Sequence, residues 1–343
     1  MFNPRYTITD HLLANIKRVN SLVNELNYRR FPYVILVEFE KTARAVSTYA
    51  STSIEGNPLP LTEVKKILKS KPAHIRDSEK EVLNYNQALQ DLNKKLKEGK
   101  VKLSLDLILK IQKQVTEGLL PKFESGKLRG KGVVVNNPRT RQVIYLPPDA
   151  KDVRPSVEEL VKFINTNKDK IDPLILAGIF HKQMVIIHPF MDGNGRATRL
   201  ATKALLTEMG LNTFNLFSFE NYYNKNVTKY FQTVGEFGNY YELIDNIDFT
   251  SWLEYFTEGI IDELLRVQKL LPEVGINPQA QLKPFHLKIL EFIRVNGFIA
   301  DRDYAKLAKR AKPTRALDFK KLIELRLISR KGKGKATYYI LKS

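Results

Sequence analysis

The stretch HPFMDGNGRATR, residues His188–Arg199, gathers a histidine, a carboxylate, two glycines around an asparagine, and two arginines. Before it, Pro173–Ile187 (PLILAGIFHKQMVII) is apolar on most sides and predicts a helix buried in a core. After it, Arg196–Met209 carries apolar residues at helical spacing, and Gly210 favours a helix end there. The two glycines therefore lie in a loop that enters a helix.

A loop of this kind is suited to binding an anion. The first backbone N–H groups of a helix have no partner within the helix and lie at the positive end of its dipole. Glycine lets an anion approach them without a clashing Cβ. Arg196 and Arg199 add forked, permanently charged donors, and Asp192 is an oxygen ligand suited to Mg²⁺. His188 is free to act as a base, because its ordinary pKa lies near neutrality.

These residues resemble the HPFx(D/E)GNGRxxR signature of the Fic family of nucleotidyl (AMP) transferases, which His188–Arg199 matches at every position. The resemblance implies transfer of AMP from ATP to a Ser, Thr or Tyr hydroxyl of a target protein or of the chain itself. His188 would be the catalytic base, and Asp192 would hold Mg²⁺. Gly195 supports AMP transfer, because kinase-like Fic variants carry lysine there.

The resemblance also implies a nucleotide-binding set. The glycine backbone and Asn194 would anchor phosphate oxygens, and the arginines would neutralise the β- and γ-phosphates. An asparagine and an aromatic residue after the signature would line the adenine pocket. The set is Gly193, Asn194, Gly195, Arg196, Arg199, Asn224 and Tyr230.

A second motif lies far upstream. By itself, Ser51-Thr52-Ser53-Ile54-Glu55-Gly56-Asn57-Pro58 is an ordinary helix end, with Gly56 as the stop. Beside the signature, Ser51, Glu55 and Gly56 resemble the inhibitory (S/T)xxxE(G/N) motif of Fic proteins that carry it on the N-terminal side. The resemblance implies that Glu55 pairs with Arg199 and so occupies charge that the γ-phosphate of ATP would use.

A β-hairpin is predicted at residues 132–146. Two apolar runs flank the turn-forming residues 136–140, in a chain that is otherwise helical by pattern. A hairpin with only a packing role is the alternative. The resemblance implies a flap that holds the target protein by strand pairing over the active site.

The C-terminal residues predict a further domain. Pro272–Pro278 breaks a long helix, and three short helices and a basic hairpin follow. This order resembles a winged helix-turn-helix. Its third helix offers Thr314, Arg315, Lys320 and Lys321, and its wing three lysines, which suits contact with DNA phosphate. Protein docking is the alternative, and tight binding of DNA would require a homodimer.

Composition sets the broad class. The net charge is +19, and residues 282–343 hold 17 Lys or Arg against five Asp or Glu, so the basic excess lies in the C-terminal fifth. The chain has no cysteine, which excludes disulfides and thiolate sites and suits a reducing compartment. No leader or membrane span is recognisable in the sequence. We therefore expect a cytoplasmic protein.

The predicted fold is mainly α: a Fic helical core with a hairpin flap and a C-terminal winged helix-turn-helix. The predicted parts are an N-terminal helical region with the inhibitory motif (1–110), the Fic domain (111–271), a linker (272–284) and the winged helix domain (285–343). Two alternative functions stay open: removal of AMP from a modified protein, and DNA-binding regulation by a nucleotide sensor.

Overall fold

The structure is a computed structural model that describes residues 2–28, 33–99, 101–136, 142–211, 213, 215–216, 218–271, 282–325, 327–332 and 334–342. It is mainly helical, as predicted. The chain forms two compact units, one of residues 1–23 and 43–264 and the other of residues 24–42 and 265–343. The first two helices of the chain and the helix at 250–270 each contribute residues to both units.

Twelve helices precede the C-terminal segment in the described part of the chain. They are α1 (Asp10–Tyr28), α2 (Tyr33–Ile54), α3 (Leu61–Lys69), α4 (Asp77–Lys97), α5 (Leu105–Val115), α6 (Ala150–Asn167), α7 (Pro173–Ile187), α8 (Asn194–Glu208), α9 (Glu220–Lys225), α10 (Val227–Val234), α11 (Tyr240–Leu243) and α12 (Thr250–Leu270).

The helix α7 is the centre of the first unit, and its bounds are those predicted from sequence. Asp172 caps its N-terminus by accepting a hydrogen bond from the Leu174 N–H at 2.8 Å. Helices α6 and α8 pack against it, and α5 packs against α8. On its α12 side, the Trp252 indole N–H donates to the Gly178 carbonyl at 2.8 Å. Burial on all sides explains why its sequence lacks a polar face.

The predicted hairpin is present in shortened form. Its strands are β1 (Val135–Asn136) and β2 (Val143–Leu146), which pair antiparallel, and residues 137–141 of the turn lie outside the described residues. The run 132–134, predicted as strand, has no strand pairing. A third strand, β3 (Gly238–Asn239), pairs parallel with β2 on its other side. The Tyr145 hydroxyl donates to the Ile186 carbonyl at 3.1 Å, which fixes the hairpin to the end of α7.

The start of α6 differs from the start that its sequence favours. The sequence favours Pro155 as the first residue of α6, because proline is common in the first turn. The helix begins instead at Ala150, and Pro155 lies inside it. The Asp149 N–H, at the N-cap, donates to the Tyr241 hydroxyl at 2.9 Å, so a tertiary contact fixes the start.

The second unit contains three C-terminal helices, α13 (Pro284–Asn296), α14 (Asp301–Leu307) and α15 (Lys312–Glu324), and an antiparallel pair of strands, β4 (Ile328–Lys331) and β5 (Tyr338–Leu341). Its core includes Ile289, Tyr304, Phe319 and Leu322. Phe39 of α2 packs against the same core. Residues 24–42 are thus part of this unit, whereas the predicted division assigned them to an N-terminal region of residues 1–110.

One expectation about the C-terminal surface differs from the structure. Arg315 was predicted to contact DNA phosphate, but its guanidinium donates to both Asp301 carboxylate oxygens, at 2.8 and 2.7 Å, and to the Arg310 carbonyl. Residues 272–281 of the predicted linker and Lys333 of the predicted wing lie outside the described residues. Among the described helices, none is both long and apolar enough to cross a membrane.

Gly178 tests the packing of α7 against α12. A Cβ at this position would lie 2.5 Å from the Leu253 Cδ2 and 3.2 Å from the Phe256 Cδ1, both in the core. We expect Gly178→Ala to lower the midpoint of thermal unfolding by at least about 2 °C, because overpacking outweighs the helix propensity gained.

Gly132→Ala is the matched control, because a Cβ there would have no atom within 4 Å. Its midpoint should stay close to that of the unmodified chain, as for most surface changes. Equal midpoints for both variants would contradict the close packing of α7 and α12.

Candidate active site

His188 ends α7 in a left-handed backbone conformation, with φ 48° and ψ 59°. Such a conformation costs a residue with a Cβ about 1–2 kcal/mol, although histidine adopts it more often than most. The backbone N–H donates to the Met184 carbonyl at 3.1 Å, which closes the helix. Burial lowers the pKa of the His188 imidazole to about 4, against an opposing effect of the Glu55 carboxylate. The ring is therefore neutral at physiological pH, as a base must be.

The loop after His188 is held by its own asparagine. The Asn194 Oδ1 accepts from the Phe190 N–H at 2.8 Å, and its Nδ2 donates to the Phe190 carbonyl at 2.9 Å. Gly193 has φ 79°, and a Cβ there would lie 2.8 Å from the Thr116 Cγ2. Asn194 thus shapes the loop through its side chain, and the direct phosphate contact predicted for that side chain stays a prediction.

Asp192 and Arg196 form an ion pair that a second carboxylate extends. The Arg196 Nη2 donates to both Asp192 carboxylate oxygens at 2.9 Å, and its Nη1 lies 2.9 Å from the Glu81 Oε1 of α4. Burial raises the pKa of Glu81, which Arg196 and a hydrogen bond from Asn57 oppose. Asn57 donates to the Glu81 Oε2 at 2.6 Å, so the turn that follows α2 is tied to the same cluster.

Arg199 is fully buried and is held by the upstream motif. Its Nε donates to the Ser51 Oγ at 2.8 Å, and its Nη2 donates to the Ser51 carbonyl at 2.8 Å and to the Glu55 Oε1 at 2.7 Å. Burial lowers the pKa of Arg199, but the Glu55 carboxylate and neighbouring tyrosines outweigh it, so that the pKa is raised. Gly56, with φ 92°, turns the chain away directly after Glu55.

Glu55 lies beside Gly195 at the start of α8. A Cβ at residue 195 would be 2.0 Å from the Glu55 Oε1 and 2.8 Å from the Arg199 Nη1. The carboxylate therefore occupies the space next to the first N–H groups of the helix, where an anion would bind. An acidic side chain of the chain itself thus lies where the sequence predicts an anionic ligand.

The two residues predicted to line the adenine pocket differ in their surroundings, and Tyr230 lies close enough to the buried Arg199 for each to shift the pKa of the other. Tyr230 is 1% exposed, stacks on Tyr223 at 4.9 Å between ring centroids, and shares a 2.9 Å hydrogen bond with the His181 Nε2. Its ring is thus part of an aromatic core around His181. Asn224 is half-buried in α9. The adenine-binding role of both residues stays a prediction.

Three supporting residues were missed at the sequence level. Glu81 holds Arg196, as described above. The buried Gln112 of α5 donates to the Asp192 carbonyl at 3.0 Å, and its own Oε1 accepts from the Gly126 N–H. Arg129, 3% exposed, donates from its Nε to the His188 carbonyl at 2.8 Å. A signal was present for Gln112, since it occupies a core position beside Ile111 in an amphipathic helix.

Comparison with known proteins shows which family this part of the chain resembles. Residues 102–206 match the model of the Fic/DOC family. Over these residues the chain is therefore similar to a Fic domain. A protein adenylyltransferase Fic from Culex quinquefasciatus is 29% identical over 217 residues, which cover 58% of this chain and 42% of the relative. A protein of the same name from Drosophila erecta is 27% identical over the same length and with the same coverage.

This chain spans less than half the length of these curated relatives. A solved structure supports the fold over a longer range. The crystal structure of a Fic family protein from Desulfovibrio desulfuricans has a TM-score of 0.67 at 20% identity, and the match covers 99% of this chain and 98% of that one. At this identity the likeness shows that the fold is shared.

The protonation state of His188 can be measured directly. We expect the Cε1–H NMR signal of His188 to titrate with a midpoint near pH 4, because burial disfavours the imidazolium. Glu55→Gln should lower the midpoint further, because an amide no longer stabilises that cation. Since an unfolded histidine binds its proton near pH 6.5, this side chain reduces stability as the pH falls from about 6.5 to about 4.

The His188→Ala spectrum assigns the signal, since the chain has five histidines. A midpoint at or above pH 6 would contradict the burial of the ring. An upward shift in Glu55→Gln would contradict the proximity of the carboxylate.

Proposed function

We propose that the protein is an autoinhibited protein adenylyltransferase, which transfers AMP from ATP to a Ser, Thr or Tyr hydroxyl of a target protein or of itself. The observation that carries the proposal is the Glu55 carboxylate, 2.7 Å from the Arg199 Nη2 and beside Gly195 at the N-terminus of α8. The relatives named protein adenylyltransferase Fic support the reaction type.

The chemistry follows from the neutral base and the anion site. The His188 imidazole accepts the proton of the attacking hydroxyl while the hydroxyl oxygen forms a bond to the α-phosphorus and the bond to the leaving pyrophosphate breaks. Such base catalysis typically contributes ~10²–10⁴-fold to the rate. The N–H groups at the start of α8 and the arginines of the signature bind the phosphate oxygens and stabilise the negative charge on pyrophosphate.

Asp192 is the proposed Mg²⁺ ligand. Its side chain is 49% exposed, and although Arg196 and the Gly193 N–H use part of its hydrogen-bonding capacity, a carboxylate has about four lone-pair sites. A single carboxylate fits this metal, because Mg²⁺ is commonly bound through one or two carboxylates together with substrate phosphates. When bound, Mg²⁺ would neutralise part of the phosphate charge.

Inhibition follows from competition for Arg199. The γ-phosphate can bind this guanidinium only when Glu55 leaves it, and the two negative groups repel each other at short range. A hydrogen bond to a charged group contributes about 1.5–3 kcal/mol, which corresponds to roughly 10–100-fold in an equilibrium constant. The unmodified chain should therefore be nearly inactive, and removal of the carboxylate should release activity of that order.

The decisive experiment uses ATP labelled on the α-phosphate. We expect weak self-labelling of the unmodified chain, about 10–100-fold more in Glu55→Gly, and a loss of ~10²–10⁴-fold when His188→Ala is added to Glu55→Gly. Label on the γ-phosphate should not be incorporated. Equal labelling of the unmodified chain and Glu55→Gly would contradict inhibition, and no labelling of either would contradict AMP transfer.

Removal of AMP is the alternative reaction at the same site. Glu55 lies close enough to the phosphate site to orient a water molecule for it. The test incubates the unmodified chain with protein that Glu55→Gly has labelled. Release of AMP by the unmodified chain but not by Glu55→Gln would establish that role, whereas absence of release excludes it.

The remaining expectations are proposals of the same kind. The hairpin 132–146 would hold the extended target segment, and the edge of the short β1 strand is available for strand addition. Residues 285–343 would be a winged helix domain that binds DNA, supported by the basic excess of this segment and by the exposed Lys320. The absence of cysteine supports a cytoplasmic location.

A further inference from the structure

A buried arginine joins the flap to the residue that carries the base. Arg129 lies between α5 and the hairpin, and its side chain reaches four backbone carbonyls. Its Nε donates to the His188 carbonyl at 2.8 Å, and its Nη1 donates to the Lys131 carbonyl at 2.9 Å. Its Nη2 donates to the carbonyls of Pro148 and, at 3.4 Å, Ile187. Lys131 directly precedes the hairpin 132–146, and Pro148 lies two residues after it.

The backbone of the same residue adds a fifth bond. The Arg129 N–H donates to the Pro189 carbonyl at 2.9 Å. One residue thus binds three consecutive carbonyls, those of residues 187, 188 and 189, and these span the left-handed turn that places the imidazole. Rotation of the peptide after His188 would break the Arg129 contact, so the guanidinium holds this turn in a conformation that a residue with a Cβ adopts infrequently.

The positive charge of Arg129 also acts on the His188 imidazole. Its guanidinium is nearly inaccessible, and burial lowers its pKa. Through space this cation opposes protonation of His188, together with the burial of the ring, whereas Glu55 and Asp192 favour protonation. Arg129 therefore affects both the orientation and the protonation state of the His188 imidazole.

We propose that Arg129 is a positioning residue, which ties the residues flanking the hairpin to the turn at His188 and so fixes the direction of the catalytic imidazole. The proposal rests on the proposed AMP transfer. Arg129 does not touch the nucleotide in this scheme. Its loss should therefore lower the rate at saturating ATP and leave the ATP concentration for half-maximal rate unchanged.

The test compares Arg129→Lys, Arg129→Met and Arg154→Met, each in the Glu55→Gly background. Arg154 is the matched control, because it lies on α6, is 60% exposed and, within the described part of the chain, forms its ion pair with Glu158 on the next turn of its own helix. Misplacement of a reacting group by about 1 Å can cost roughly 100-fold in rate. We expect a loss of that order at saturating ATP for Arg129→Met, a smaller loss for Arg129→Lys, and none for Arg154→Met.

The His188 titration is the second readout and does not depend on activity. In Arg129→Met the midpoint should rise, because a cation that opposes protonation is gone, and Arg154→Met should leave it in place. Rates equal to the Glu55→Gly parent would overturn the proposal, and so would a loss confined to ATP half-saturation or an unchanged His188 midpoint. If the parent transfers no AMP, the proposed function fails, and the titration alone decides the coupling.

Discussion

The burial of the Arg199 guanidinium is the constraint on which the site depends. A buried cation without partners would be strongly destabilising. Here the Ser51 hydroxyl, the Ser51 carbonyl and the Glu55 carboxylate supply acceptors for its Nε and Nη2 from a segment 144 to 148 residues away, whereas its Nη1 has no hydrogen-bond partner among the described residues. Under the proposed function, a phosphate would replace the Glu55 carboxylate as the anionic partner of this arginine.

The helices before the signature supply two carboxylates to its arginines, those of Glu55 and Glu81. Arg199 is held by Glu55, and Arg196 is held by Asp192 and by Glu81 of α4. Asn57 connects the two by its bond to Glu81, two residues after Glu55. Both arginines of the signature thus have carboxylate partners before any nucleotide is bound. Under the proposed function, this arrangement lowers the positive charge that an approaching nucleotide would meet.

Local sequence patterns were sufficient to predict most helices and the glycine loop after His188. They were insufficient to predict the distant residues that hold this loop in place. Helix α7 was predicted with its observed bounds, because burial on all sides and the two flanking prolines are properties of the segment itself. Arg129 could not be recognised, because it lies in the aperiodic stretch 127–132 (KLRGKG), where a basic side chain ordinarily faces solvent. Its role depends on carbonyls about 60 residues away, which no spacing rule connects. The start of α6 does not follow from the local sequence for the same reason, because it depends on a hydrogen bond between Asp149 and the distant Tyr241.

The left-handed backbone at His188 places two separate demands on one position. The ring must be a base, and the residue must tolerate a conformation that asparagine, aspartate and glycine accept and alanine resists. A chain that acquired asparagine at 188 would lose the proton acceptor and retain the turn, the glycine loop and the anion site. Under the proposed function, such a variant would bind nucleotide without transferring AMP. A single substitution at residue 188 could therefore remove the base while the fold is kept.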